Sequence, residues 1–177
     1  MSDKPIAIVT GVGPGTRAAI VKRFSAAGFR IIALARSPEL INWLAQELPD
    51  VHTVSRDVSD EAEVYSVLAE VKRRVGTVEV LIHNAVGGCW ETLREIEPSM
   101  LKQNIEVNVR GLLYRTREVA SDMVEQGRGA IFVTGNTSSM RGRANYAGFD
   151  PTKAAQRISA DAIARDVGPQ SVHVSYV

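Results

Sequence analysis

Residues 10–15 read Thr-Gly-Val-Gly-Pro-Gly, between an apolar run, Ile6–Thr10, and an amphipathic stretch, Thr16–Ala27. A strand that turns through glycines into a helix leaves the first helical N–H groups without intrahelical partners. The positive end of the helix dipole then points at the turn. Gly11, Gly13 and Gly15 in that setting predict a turn wrapped around the pyrophosphate of a dinucleotide. The next apolar run ends Leu34-Ala35-Arg36. A site for an unphosphorylated ribose carries Asp or Glu about 20 residues after the glycines. Arg36 stands there instead, and a guanidinium matches a 2′-phosphate. NADP is therefore expected ahead of NAD, although Arg36 also fits as a solvated charge before Ser37.

Polar side chains further along fall in apolar surroundings. Asn108 lies inside the apolar helical stretch from Ile105 to Tyr114. Asparagine competes with a helix backbone for hydrogen bonds, and when buried it must find partners. It either holds backbone or water at a site or faces solvent. Ser139 closes the polar run that starts at Thr134, just past an apolar strand. Ligands of open α/β sheets bind at that end of the strands, while a Ser/Thr-rich loop is also ordinary turn chemistry. Ser138 is the competing hydroxyl. Phe149 and Lys153 are four residues apart and share a helix face if the helix has begun by Phe149. Asp150-Pro151 between them reads as a cap and a first helical residue. Phe149 would then pack back on the first turn, and Lys153 taken alone is a solvated charge.

These residues need a scaffold that brings strand ends together. Strands are predicted at Ile6–Thr10, Arg30–Ala35, His52–Ser55, Val78–His83, Ala130–Thr134 and Val172–Val177. Their apolar character is continuous rather than alternating, as in strands covered on both faces. Helices are predicted at Thr16–Ala27, at Leu40–Leu48 behind a Ser37 cap and Pro38, and at Asp60–Arg74 behind Ser59. Two long ones follow, about Pro98–Gln126 and Pro151–Val167. The alternation predicts an α/β, three-layer, doubly wound Rossmann fold. Its parallel sheet has the order 3-2-1-4-5-6, in one domain spanning residues 1–177.

Composition narrows the partners. The chain has 177 residues, 45% hydrophobic and 23% charged, the make-up of one globular domain. A net charge of +1 gives no general attraction to nucleic acid or an anionic membrane. No apolar run reaches the roughly 18 residues of a membrane helix, and no secretory signal pattern opens the chain. Cys89 is the sole cysteine, so no intrachain disulfide forms, which fits a reducing, cytoplasmic setting. No metal site is expected.

On these residues the chain resembles the short-chain dehydrogenase/reductase family over essentially its whole length. The family's Thr-Gly-x-x-x-Gly-x-Gly turn is similar to residues 10–17, with Arg17 in place of the last glycine. Its adenine-contacting Asp after strand three resembles Asp57, followed by Val58. Its Asn-Asn-Ala-Gly segment resembles His83-Asn84-Ala85-Val86. Its helix asparagine resembles Asn108 in Asn108-Val109-Arg110-Gly111. Its catalytic serine, followed by x-x-Gly, resembles Ser139, and this spacing to Gly142 favours Ser139 over Ser138. Its Tyr-x-x-x-Lys resembles Phe149-Asp150-Pro151-Thr152-Lys153, with the lysine present and the tyrosine replaced.

The resemblance implies hydride transfer between NADP and a carbonyl or alcohol substrate. It puts Gly11, Gly13, Gly15, Thr16, Arg36, Asp57, Val58, Asn84, Ala85 and Lys153 on the cofactor. Ser139, Asn108, Lys153 and Phe149 fall at the reacting centre. In the family the tyrosine hydroxyl moves the proton, the lysine lowers its pKa and the serine holds the carbonyl. Phenylalanine does none of this, so another proton source is implied: Tyr146, one helical turn earlier, or a water on Lys153. The alternative is an NADP-binding protein with weak or no turnover, a sensor or partner subunit. A methyltransferase using Gly11, Gly13 and Gly15 leaves Asn108, Ser139 and Lys153 unexplained.

Family members pair through the helices that resemble Pro98–Gln126 and Pro151–Val167. Small residues such as Ala154, Ala155 and Ala162 on the second fit a homodimer or homotetramer, or a helix packed only on its own sheet. The family fold continues past its sixth strand, so a C-terminally truncated domain is expected. Arg17, where helix and strand should pack closely beside the pyrophosphate, is expected either to swing out and contact a phosphate or to obstruct the cofactor. Gly87-Gly88-Cys89-Trp90 is either part of a substrate pocket or a flexible loop.

Overall fold

The six apolar runs form one parallel sheet in a computed structural model that describes residues 4–37, 41–57 and 59–177. The strands are β1 (Ile6–Thr10), β2 (Arg30–Ala35), β3 (Val51–Ser55), β4 (Val78–His83), β5 (Gly129–Val133) and β6 (Val172–Tyr176). The helices are α1 (Thr16–Ala26), α2 (Asn42–Glu47), α3 (Glu61–Arg74), α4 (Pro98–Ile105), α5 (Gly111–Gln126) and α6 (Asp150–Val167). The strand order is 3-2-1-4-5-6, as the alternation of elements predicts.

The sheet separates two apolar cores. Ile8, Ile32, Leu81 and Ile131 pack with Leu68 of α3, Leu112 and Met123 of α5 and Ala160 of α6. Ala7, Val9, Ile31 and Ile82 pack on the other face with Ala18 and Val21 of α1 and Leu44 of α2. Each fully buried aliphatic side chain contributes about 1.5–3 kcal/mol, so the central strands hold both helix layers. Burial on both faces, expected of every strand, is found along β1, β2 and β4. It fails at β3 and β6, which bury only Val51 and Val172, and β5 alternates. The first two are the edges of the sheet and have a neighbour on one side only.

Helix starts depart from expectation where side chains take other partners. Asp60, rather than Ser59, caps α3, its carboxylate accepting the Glu63 N–H at 2.9 Å. Ser59 is diverted, because Asp57 accepts both its hydroxyl (2.7 Å) and its N–H (2.9 Å). α6 begins at Asp150 with Phe149 in the cap position. The Asp150 carboxylate turns to Arg143, at 3.0 Å, instead of capping. α2 follows Ile41, and the expected start at Pro38 and Leu40 lies outside the described residues. The expected single helix Pro98–Gln126 is broken by a π turn, Glu106–Arg110, between α4 and α5. Asn108 sits in that turn, where the altered backbone register accommodates a residue that disfavours a regular helix.

The end of β1 comes up against the end of β4. Gly11 takes φ +67°, and a Cβ on it would stand 2.4 Å from the Ala85 Cα. Gly15, at φ +74°, has open space at the same position. Gly11→Ala is therefore expected to cost more than about 2 kcal/mol, and Gly15→Ala about 1 kcal/mol for its backbone conformation alone. Urea unfolding of the two variants checks this ranking; equal losses would contradict the close approach.

Candidate active site

One cleft opens at the carboxyl ends of β1 and β2, and Gly11, Arg17, Arg36, Asp57 and Ala85 line it. Asn84 ties the β4 end to the glycine turn: its side-chain amide donates to the Gly11 carbonyl at 3.3 Å, and its backbone N–H to the Thr10 hydroxyl at 3.3 Å. Gly15 caps α1 with no side-chain hydrogen bond, and the first turn holds no acidic residue. Thr16 is exposed at the first helical position. The leading N–H groups and the uncompensated dipole suit an anion.

Gly13 is buried, and the Arg17 side chain lies 3.5 Å from the place its Cβ would take. Arg17 thus folds over the turn. The buried face of α1 is formed by Ala18 and Val21, and Arg17 lines the cleft. Arg36 is exposed on the same cleft. Asp57 has one carboxylate oxygen on Ser59 and its N–H on Glu63, at 2.9 Å. Val58 lies outside the described residues.

A second group gathers at the ends of β4 and β5. Asn108 is fully buried rather than facing solvent. Its side-chain oxygen accepts the Gly87 N–H at 2.8 Å, and its nitrogen donates to the Gly87 carbonyl at 3.0 Å and the Thr152 hydroxyl at 2.9 Å. The Gly87–Trp90 loop is thereby tied to α6 at its first residue. Lys153 is 3% exposed, which corrects its reading as a solvated charge. It donates to the Thr134 carbonyl at 2.9 Å and to the Gln156 side-chain oxygen, and burial lowers its pKa to about 8.

Two basic residues are buried beside it. The Arg115 guanidinium donates to His83 Nδ1 at 2.6 Å, and both side chains are fully buried. A ring nitrogen that accepts from a guanidinium carries no proton. Burial, with the Arg115 and Lys153 charges, holds His83 well below its usual range. Burial also lowers Arg115 to about 9, so it stays charged at neutral pH.

Ser138 and Ser139 are buried in a short 3₁₀ turn, Thr137–Met140. Arg143 donates to the Ser138 hydroxyl, pairs with Asp150 and lies 3.4 Å above the Tyr146 ring. Ser139 donates to the Asn136 carbonyl at 2.8 Å. Ser139, Met140, Tyr146 and Ala147 share the wall of a second pocket. Phe149 is buried against Trp90 and Tyr146, with ring centroids 5.6 and 6.4 Å away. Arg115, Gln156 and Arg143 are not among the residues the sequence singles out. Two of them had a signal: Arg115 falls on the buried stripe of α5 with Leu112, Val119 and Met123, and Gln156 on that of α6 with Lys153 and Ala160.

The buried lysine makes stability depend on pH. Its pKa is about 8 in the folded protein against an ordinary 10.5. Between these values the unfolded chain binds more protons at Lys153, so this residue's contribution to stability rises with pH across that window. The full change is about 3 kcal/mol. Lys153→Met is expected to remove that rise in urea unfolding compared at pH 7.5 and 10, after both proteins are checked for fold. An unchanged pH dependence would contradict the burial of a charged lysine.

Among the described residues no group of His, Cys, Asp and Glu is placed to hold a metal ion, and no helix is long and apolar enough to cross a membrane. The sequence pattern of the family described as short chain dehydrogenase matches residues 5–177. L-xylulose reductase of Bos taurus is 29% identical over 172 residues, which are 97% of this chain and 69% of that one. A short-chain dehydrogenase from Streptomyces avermitilis has a TM-score of 0.92 at 29% identity, over 96% of this chain and 63% of its own. A gluconate 5-dehydrogenase from Burkholderia cenocepacia, solved in complex with NADP and tartrate, has 0.88 at 25%, over 96% and 68%. The chain thus spans about two thirds of the length of these relatives. Fold, glycine turn and matched pattern agree: the chain belongs to the short-chain dehydrogenase family.

Proposed function

We propose that this chain forms the cofactor-binding and proton-transfer part of an NADP-dependent oxidoreductase, which interconverts a carbonyl and an alcohol on a small polyhydroxylated molecule. The observation that carries the reading is the pair of guanidinium groups, Arg17 and Arg36, on the cleft of the Gly11 turn. Two guanidinium cations there favour a 2′-phosphate over a bare ribose. The names of the relatives, a keto-sugar reductase and a sugar-acid dehydrogenase solved with NADP, support the substrate class.

Bound NADP supplies or accepts the hydride. Gly11, Gly13, Gly15 and Thr16 take its pyrophosphate, and Arg36 with Arg17 its 2′-phosphate. Asp57 would serve the adenine end. Asn84, Ala85 and Lys153 serve the nicotinamide half, and Asn108 holds the loop beside it. Ser139 orients the substrate oxygen. Phe149 has no exchangeable proton, and Tyr146, in the pocket of Ser139, moves the proton in its place. The reading includes a homodimer through α5 and α6, where Leu113 and Ile158 stay 55% exposed. A cytoplasmic setting suits the free Cys89.

NADPH oxidation followed with a panel of ketoses and other small carbonyls tests the reading. Turnover of at least one is expected. Tyr146→Phe is expected to lower kcat by about 10²–10⁴-fold with little change in KM. NADPH binding without oxidation of any panel member contradicts the enzymatic reading, and an unchanged kcat removes Tyr146 as the proton donor.

A further inference from the structure

Gln156 lies three residues after Lys153 on α6 and is fully buried. A primary amide inside an apolar layer is costly unless its polar atoms are paired, and this one is paired at both ends. Its oxygen accepts from the Lys153 ammonium, and its nitrogen donates to the Asn108 backbone carbonyl at 2.9 Å. The orientation is dictated by chemistry. An ammonium only donates and a carbonyl only accepts, so the oxygen faces Lys153 and the nitrogen faces Asn108. The amide therefore links α6 to the π turn that carries Asn108.

Among the described residues no carboxylate pairs with Lys153; its shift has burial as its cause. The titratable groups around it are His83 from β4, which Arg115 of α5 contacts in turn, and Tyr176 from β6. The Tyr176 ring lies 5.9 Å from the ammonium, and its hydroxyl is buried without a partner among the described residues. On α6 itself, Asp150 and Arg157 are engaged with Arg143 and Asp161, and in the π turn Arg110 is paired with Glu106. Without a counter-ion, the lysine's charge depends on neutral acceptors, and Gln156 supplies one of two. An ammonium has three N–H groups, so one remains for a ligand oxygen.

We infer that Gln156 is a positioning residue: it holds the Lys153 ammonium charged and oriented, with one N–H left for a bound hydroxyl or carbonyl oxygen, and couples it to the π turn of Asn108. The inference rests on the proposed function only in taking Lys153 as a residue of the site.

The test is an NMR titration of the intact protein, isotope-labelled at lysine and glutamine, with no NADPH or substrate added. In the unaltered protein the Gln156 side-chain amide signals should move with the Lys153 Cε signal, at one pH midpoint. Gln156→Leu removes an acceptor from the charged form and is expected to lower the Lys153 midpoint by about one pH unit. Gln156→Glu adds an anion and is expected to raise it by at least about as much. A Gln156 amide indifferent to the Lys153 titration overturns the assignment, as does an unchanged midpoint in a folded variant. If Gln156→Leu does not fold, the near-isosteric Gln156→Glu and the unaltered protein decide. Loss of the oxidoreductase reading would leave these signals as predicted, and failure of the coupling would leave NADPH turnover untouched, so the two outcomes register separately.

Discussion

The hydrogen bonds of Asn108 hold the β4–β5 half of this molecule together. One buried side chain joins the π turn to the loop after β4 through both backbone groups of Gly87, and to α6 through Thr152. Its own carbonyl receives Gln156, which in turn receives Lys153. Each such bond contributes only about 1 kcal/mol net, but an unpaired buried amide costs about 1–3 kcal/mol. The arrangement is therefore close to all-or-none. With Asn108 in place, the β4 loop, the π turn and the lysine occupy one mutual geometry; without it, several buried polar groups lose partners together.

The β1–β2 half is held by a steric constraint instead. Gly11 leaves room for the backbone at Ala85, so the ends of β1 and β4 meet and Asn84 reaches the turn. The charged side chains of the cleft, Arg17 and Arg36, come from α1 and from the end of β2. Shape is thus set by backbone contact, and the charge of the cleft by side chains that leave the backbone unchanged. Phe149 belongs to neither half. It completes an aromatic cluster with Trp90 and Tyr146, which fills with apolar contact a position where the family resemblance implies a proton-transferring hydroxyl.

Much of this is legible in the sequence, for physical reasons. The apolar runs mark the strands because buried parallel strands need apolar residues on both faces, and the glycine turn marks the first strand–helix junction by its context. The π turn is not legible, since Pro98–Gln126 carries a helical pattern throughout and the break shows only as an asparagine inside it. Cap positions shift because Asp57 captures Ser59 and Arg143 captures Asp150, contacts that the sequence does not rank. Lys153 looks like a surface charge by residue type and becomes a buried one through Thr134 and Gln156, which come from different parts of the fold or carry no charge of their own. The Arg115–His83 pair needs the α5 register against β4 before it can be seen.

The central claim is that the cleft at Gly11 is built for a dinucleotide carrying a 2′-phosphate. Equilibrium titration of the protein with NADPH and with NADH, at one ionic strength, tests it directly. NADPH is expected to bind at least about tenfold more tightly, a difference of about 1.4 kcal/mol, and Arg36→Ala to abolish most of that preference. Equal affinities, or tighter binding of NADH, would contradict it.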